Sequence, residues 1–105
     1  MNKIEQAQNP NTPQETLKVL ATDKDSGVRC CVAQNPNTSQ ETFGVLATDE
    51  EYYVRRGAAT NPNTPQESLR VLATDEDWGV RYEAAKNPNS NELIRRLVIL
   101  SNEQN

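Results

Sequence analysis

The sequence predicts an all-α fold of stacked repeats, with two short helices in each repeat and no strands. A period of 26 residues is the first observation, since segments 9–34, 35–60 and 61–86 align without a gap and share 14 identical positions. Each segment also carries two separate helix patterns. Finally, 34% hydrophobic and 5% aromatic residues are few for one globular core, but they suffice for repeats that each bury a narrow strip.

We predict a single domain over residues 1–105, with about 3.5 repeats. Residues 1–8 resemble the end of a repeat and are interpreted as a partial N-terminal one. A truncated copy occupies residues 87–105 and lacks one residue near its start. Its apolar residues Ile94, Leu97 and Val98 then take the places that Leu17, Leu20 and Ala21 hold in the first full repeat.

The first helix of each repeat, helix A, is predicted from a capping pattern and an apolar stripe. Thr12 is predicted as the N-cap and Pro13 as the first helical residue, with Glu15 completing a capping box. Leu17, Leu20 and Ala21 follow at a spacing that lines one helix face. The helix is predicted to be α-helical and to end near Asp23.

The second helix, helix B, follows an acidic turn and ends before the next Asn-Pro. Asp25 is placed to cap it, and Asn35-Pro36 must stop it because proline cannot continue the hydrogen-bond ladder. An acidic and a basic residue recur at fixed places, which predicts either Asp–Arg pairs between neighbouring repeats or Asp caps on helix B. These residues are Asp23, Asp49, Asp75, Arg29, Arg55 and Arg81. The repeated Asn9 and Asn11 are interpreted as turn and cap ligands for backbone groups.

The three copies differ mainly on one arc of helix B, opposite the arc of Val28, Arg29, Val32 and Ala33. Four of the five aromatic residues fall on this variable arc. Clustered Tyr, Trp and Arg are typical of an interaction patch, although an exposed arc that has simply diverged remains the alternative. The candidate partner-binding residues are Cys30, Tyr52, Tyr53, Arg56, Trp78, Tyr82 and Glu83. Arg56 is also placed to stack on Tyr52, Trp78 or Tyr82.

Charge and composition exclude several classes of function. The net charge of −4, which we interpret as evenly spread, offers no basic surface for nucleic acid or for an anionic membrane. No apolar run approaches a membrane span, and the N-terminus lacks a signal-peptide pattern, so a cytoplasmic location is expected. Cys30 and Cys31 are adjacent and are expected to be reduced. With no histidine, the chain is predicted to hold no metal or other cofactor.

These motifs resemble the leucine-rich repeat variant family of bacterial helical solenoids, and more distantly HEAT repeats. The resemblance rests on an acidic residue followed by Val28-Arg29, on N-P-N-T-P, and on L-x-x-L-A-x-D, and it covers residues 9–100. It implies paired short helices, alternately α and 3₁₀, stacked in a right-handed superhelix. A described family member holds an iron–sulfur cluster in a cysteine-rich segment, but this chain's two cysteines cannot supply about four thiolates.

Three hypotheses for function follow. The first is a non-enzymatic scaffold that binds a protein or peptide on the variable face of the B helices. The second is a HEAT-like enzyme, which the absence of histidine and of a recognisable nucleophile–base pair disfavours. The third is an oligomerising module or part of a longer array, with a homodimer through the apolar helix at residues 92–100. Nucleic-acid binding is a weaker fourth hypothesis, because stacked aromatics favour it and the acidic charge opposes it.

Overall fold

A computed structural model describes residues 1–104, and this part of the chain contains eight α-helices and no strand. The all-α prediction is therefore confirmed, and helix A is α-helical as expected. The helices are α1 (Lys3–Gln8), α2 (Gln14–Leu20), α3 (Ser26–Gln34), α4 (Gln40–Leu46), α5 (Tyr52–Thr60), α6 (Gln66–Leu72), α7 (Trp78–Lys86) and α8 (Glu92–Gln104).

Helices α2, α4 and α6 are the A helices, and their N-termini differ from the predicted capping box. Pro13 stands at the N-cap of α2 and Thr12 lies outside the helix. The Thr12 hydroxyl instead donates to the carbonyl of Gln6, 2.6 Å away in the last turn of α1. Thr38 and Thr64 donate in the same way to carbonyls in the last turns of α3 and α5. The prediction was wrong because each threonine hydroxyl donates to a carbonyl at the preceding helix end, and the N-cap position falls one residue later.

The A helices also end earlier than predicted. Helix α2 ends at Leu20, and the amides of Thr22 and Asp23 donate to carbonyls three residues back, at Val19 and Leu20. These tighter turn bonds lead the chain out of the helix before Asp23. The inward stripe is as expected, since Leu17, Leu20 and their counterparts in α4 and α6 are buried.

The B helices α3, α5 and α7 begin after the acidic turns. The Asp25 carboxylate accepts a hydrogen bond from the amide of Gly27 at 2.8 Å, and Asp77 accepts one from Val80 at 3.1 Å. Glu51 stands at the same place before α5 and makes no side-chain cap bond. Each B helix ends directly before an Asn-Pro pair, as predicted.

The helices form two layers. Helices α1, α3, α5 and α7 pack on one another in succession, and α2, α4 and α6 lie beside them as a second layer. The core runs between the layers as a continuous strip of small and medium apolar side chains, with Phe43 the largest among them. The molecule measures 45 × 22 × 16 Å along its principal axes, so it is elongated.

The two ends of the array close differently. Helix α1 packs on α3 where the second helix of a preceding repeat would lie. At the other end, the 13-residue helix α8 packs on α6 and α7, with Ile94 and Val98 buried and Leu97 partly buried. No helix in residues 1–104 is both long enough and apolar enough to cross a membrane.

Candidate interaction surface

Buried arginine side chains join each acidic turn to the next. Arg29 donates from Nε to Asp49 Oδ2 at 2.7 Å and from Nη2 to Asp49 Oδ1 at 3.2 Å, while Nη1 donates to the Asp23 carbonyl at 2.8 Å. Arg55 makes the same three bonds one repeat later, to Asp75 and to the Asp49 carbonyl. The hydrogen bond from Arg29 to Asp49 raises the pKa of that guanidinium. These charged groups are already paired, so their contacts are structural.

We call a side-chain contact that joins one repeat to the next a rung. The rungs at the two ends of the Asp–Arg series use other partners. Arg81 donates from Nε to the amide oxygen of Asn102 at 2.7 Å, whereas Arg29 and Arg55 donate from Nε to an aspartate. Asp23 has no preceding arginine and pairs with Lys3 at 2.9 Å. The Lys3 ammonium lowers the pKa of the Asp23 carboxyl, mainly through its hydrogen bond, and Asp23 raises the pKa of Lys3. Every member of the predicted Asp and Arg set therefore contacts a side chain from outside its own repeat.

Buried asparagines join the repeats at the opposite ends of the B helices. The Asn61 amide donates to the carbonyls of Ala33 and Asn35, at 2.9 and 3.0 Å, and its oxygen accepts from the amide of Asn63. Asn35 and Asn87 make the equivalent bonds. Sequence reasoning foresaw the turn contact within the repeat but missed the contact with the preceding repeat. An asparagine directly after α1 and after each B helix was the available signal.

Four exposed aromatic side chains lie at the start of two neighbouring B helices. They are Tyr52 and Tyr53 in α5 and Trp78 and Tyr82 in α7, and together they are called the aromatic face. The rings are in edge-to-face contact in pairs, with centroids 5.7 Å apart for Tyr52 and Tyr53 and 6.1 Å apart for Trp78 and Tyr82. Trp78 is 70% exposed. The structure thus brings these four predicted binding residues onto adjacent helices with their rings accessible.

The aromatic face continues onto α3 through Tyr53. The hydroxyls of Tyr53 and Ser26 are hydrogen-bonded, and the Cys30 thiol donates to the Tyr53 carbonyl at 3.8 Å. Partial burial raises the pKa of Cys30, so its thiol is protonated at neutral pH. Both cysteines are free. Cys30 therefore contacts the backbone of Tyr53 as a neutral thiol.

The charged residues of the predicted set pair with each other. Arg56 Nη2 lies 3.2 Å from Glu83 Oε2, and the Glu83 side chain is mostly buried beneath it. The cation that stacks on an aromatic ring is Lys86, whose Nζ is 5.1 Å from the centroid of the Tyr82 ring. Arg56, which the sequence placed against one of the rings, thus pairs with Glu83, and Lys86 lies on Tyr82.

The variable arc is narrower than the sequence indicated. Gly57 belongs to that arc by its position, but it is buried. A Cβ atom at Gly57 would lie 3.1 Å from the Cβ of Ala33 and 3.7 Å from the Cys30 carbonyl. Successive B helices approach so closely here that this part of the arc is covered by the neighbouring helix. Local helix geometry could not show this approach.

The opposite side of the molecule has grooves between the A helices. One cavity of about 440 Å³ lies between α2 and α4, and one of about 430 Å³ lies between α4 and α6. Val19, Val45 and Val71 hold equivalent positions beside these grooves and are exposed. Sequence reasoning missed this feature, although a valine that is identical in all three copies was the available signal.

Comparison with known proteins supports the family resemblance. Residues 52–77 match the family model described as leucine rich repeat variant. The match runs from the first residue of α5 to the N-cap residue of α7, and residues 52 to 77 are 26 residues, one full period. No curated protein and no solved structure matches the chain.

Proposed function

We propose that this leucine rich repeat variant chain is a non-enzymatic scaffold that binds a protein or peptide on its aromatic face. The finer architecture belongs to the same proposal: a right-handed, HEAT-like solenoid of about 3.5 repeats. Repeat boundaries at residues 9, 35, 61 and 87 and a cytoplasmic location are also part of it. The free state of Cys30 and Cys31 supports a reducing compartment.

The observation that carries the proposal is the exposure of four aromatic rings on α5 and α7. Large aromatic side chains dominate the energy of protein interfaces, because they bury much area and lose little conformational entropy. These rings are also held in place before any partner arrives. Edge-to-face contacts hold the rings in pairs, and the Tyr53 hydroxyl is hydrogen-bonded to that of Ser26 on the neighbouring helix. A preorganised patch lowers the entropy cost of binding.

The repeated rungs support a rigid platform beneath the rings. Arg55 and Asp75 link the turns that precede α5 and α7, and Asn87 links the C-terminal end of α7 to that of α5. Two neighbouring helices that are joined at both ends keep the distances between their exposed side chains constant. The side-chain pair of Arg56 and Glu83 adds a contact between the same two helices.

Affinity capture from native extract tests the proposal with the double variant Trp78→Ala and Tyr82→Ala. We expect the variant to keep the helical circular dichroism of the wild type and to lose the captured protein. The matched control is Val45→Ala and Val71→Ala, which removes exposed apolar side chains from the A helices. A benzophenone amino acid at position 82 should crosslink to the captured protein. Capture that is unchanged in the aromatic variant, or turnover by the purified protein, would overturn the proposal.

A second candidate, a homodimer through helix α8, is favoured by its exposed apolar side chains. Leu93, Ile99 and Leu100 are all more than half exposed, although this helix ends the array in the described chain. A helix at the end of a repeat array is expected to be polar on its outer side. Light scattering at high concentration tests the dimer, with Leu93→Glu and Leu100→Glu as the dissociating variant. A monomer in the wild type would exclude it.

A further inference from the structure

The aromatic face borders an edge that holds most of the net charge of the protein. Three turns, at residues 23–25, 49–51 and 75–77, contain eight of the 15 acidic residues. Arg29 and Arg55 connect these turns in sequence, so they lie side by side as one acidic edge. The even spread of charge expected from the sequence is therefore wrong for the folded chain, because stacking gathers residues that are 26 positions apart.

The charge of this edge is not neutralised within the chain. Its eight carboxylates meet five cations, namely Lys3, Lys24, Arg29, Arg55 and Arg81, and the rest of the chain has seven acidic and six basic residues. The edge therefore holds −3 of the net charge of −4. Glu50 and Glu76 have side chains that are 83% and 91% exposed, each 3.9 Å from an arginine already held by an aspartate.

The edge and the rings are adjacent in the chain and in space. Glu50 precedes Tyr52 by two residues and Glu76 precedes Trp78 by two, so each exposed carboxylate is followed at once by an exposed ring. A carboxylate next to an aromatic ring offers an arginine or lysine side chain two contacts at once. The cation pairs with the carboxylate, and its flat or methylene portion lies on the ring.

We infer that the partner of the aromatic face is a basic, extended peptide segment that runs along the acidic edge. The inference rests on the proposed function and adds the chemistry of the partner. The positive charge of the partner follows from complementarity with the acidic edge. Such complementarity also speeds association of the two molecules and selects against acidic partners. The aromatic rings supply the contact area, and the acidic edge sets which segments are accepted.

The spacing of the repeats adds a condition on the segment. Packed helices lie about 8–10 Å apart, and three residues of extended or polyproline chain span about 9–10 Å. A basic side chain at every third residue therefore meets one repeat after another. The same number of basic residues in an unbroken block cannot follow the turns at this interval.

Titration with a synthetic peptide of four Arg-Pro-Pro triplets tests the inference, because proline holds the chain extended. Trp78 is the only tryptophan and reports binding by its fluorescence. We expect this peptide to bind about tenfold more tightly than one with four arginines followed by eight prolines, and binding to weaken as salt is added. Peptides with Gln or Glu in place of Arg should not bind measurably.

Charge-neutral variants locate the effect on the protein, with calorimetry as the measurement. Glu50→Gln with Glu76→Gln should lower affinity for the Arg-Pro-Pro peptide by about fivefold to tenfold and reduce its salt dependence. The matched control, Glu15→Gln with Glu67→Gln, makes the same change of charge on exposed residues of the A helices and should leave affinity unchanged. Equal losses in the two variants would overturn the inference, because the effect would then come from total charge.

The results of these experiments also distinguish the inference of a basic peptide from the proposed function on which it rests. If capture depends on Trp78 and Tyr82 while the Arg and Gln peptides bind alike, the aromatic face remains the binding surface and the basic segment is excluded. If the variant lacking both rings keeps both its captured protein and its affinity for the Arg peptide, the aromatic face itself is excluded.

Discussion

The two helix layers of this protein differ in how closely neighbouring helices approach. In the B layer, α3 and α5 meet at Gly57, where even a methyl group would lie 3.1 Å from Ala33. In the A layer, Gly44 of α4 has no atom within 4 Å of the equivalent position, and it lines a groove of about 430 Å³. The tight layer carries the aromatic face, and side chains displayed on closely fixed helices keep their relative positions. The open layer leaves its exposed residues less constrained.

The strongest test of this difference is the loss of one rung beneath the B layer. Asp75→Ala leaves the buried Arg55 guanidinium without its carboxylate, and we expect the free energy of unfolding to fall by about 3–5 kcal/mol. In the A layer, the Lys18–Glu41 pair is solvent-exposed, so Glu41→Ala should leave the free energy of unfolding almost unchanged. Urea denaturation followed by circular dichroism measures both. Similar costs for the two substitutions would contradict the contrast between the layers.

The asparagine rungs are the next largest contribution. Asn61→Ala removes two hydrogen bonds to carbonyls of the preceding repeat, those of Ala33 and Asn35, and leaves buried polar groups unpaired. We expect a loss of about 2–4 kcal/mol in the free energy of unfolding. Gln66→Ala in α6 removes one exposed hydrogen bond to the Asn89 carbonyl and should change stability by about 0.5 kcal/mol at most. A small effect at Asn61 would show that the rung is dispensable.

Gly57 and Gly44 allow the most direct comparison of the two layers, because replacing each with alanine should change the free energy of unfolding in opposite directions. Gly57→Ala forces α5 away from α3, and we expect a net loss of about 1–2 kcal/mol despite the better helix propensity of alanine. Gly44→Ala meets open space and should gain about 0.5–1 kcal/mol from that propensity. Thermal unfolding of the two variants measures the difference. Stabilisation by both substitutions would mean that the B layer relaxes easily.

The smallest expected effect concerns the exposed rung at the N-terminal end, and it depends on pH. The pKa of Asp23 is lowered from 3.8 by Lys3, so the contribution of this pair is present above that value and is lost as pH falls through the folded-state pKa. Lys3→Met should therefore lower the melting temperature slightly at about pH 6 and not at about pH 2. If the difference in melting temperature between Lys3→Met and the wild type persists in acid, the effect comes from packing of the lysine methylene groups and not from the ion pair.

Much of the candidate site was visible in the sequence, because helical periodicity assigns residues to faces. The spacing of Tyr52, Tyr53, Trp78 and Tyr82 placed them away from the core, and the structure exposes all four. The same reasoning failed for Gly57, where exposure depends on how near the next helix comes. It also placed Arg56 against one of the rings, whereas the structure pairs Arg56 with Glu83, because helix spacing is equally compatible with both contacts.

The sequence by itself determined the helices and their inward stripes, because proline stops and periodicity act within a few residues of the chain. Only the tertiary structure decided how residues 20 to 28 positions apart meet. It extended asparagine contacts across repeats and gathered most of the net charge into one edge. These outcomes depend on the distance between stacked backbones, which no pattern within a single repeat contains.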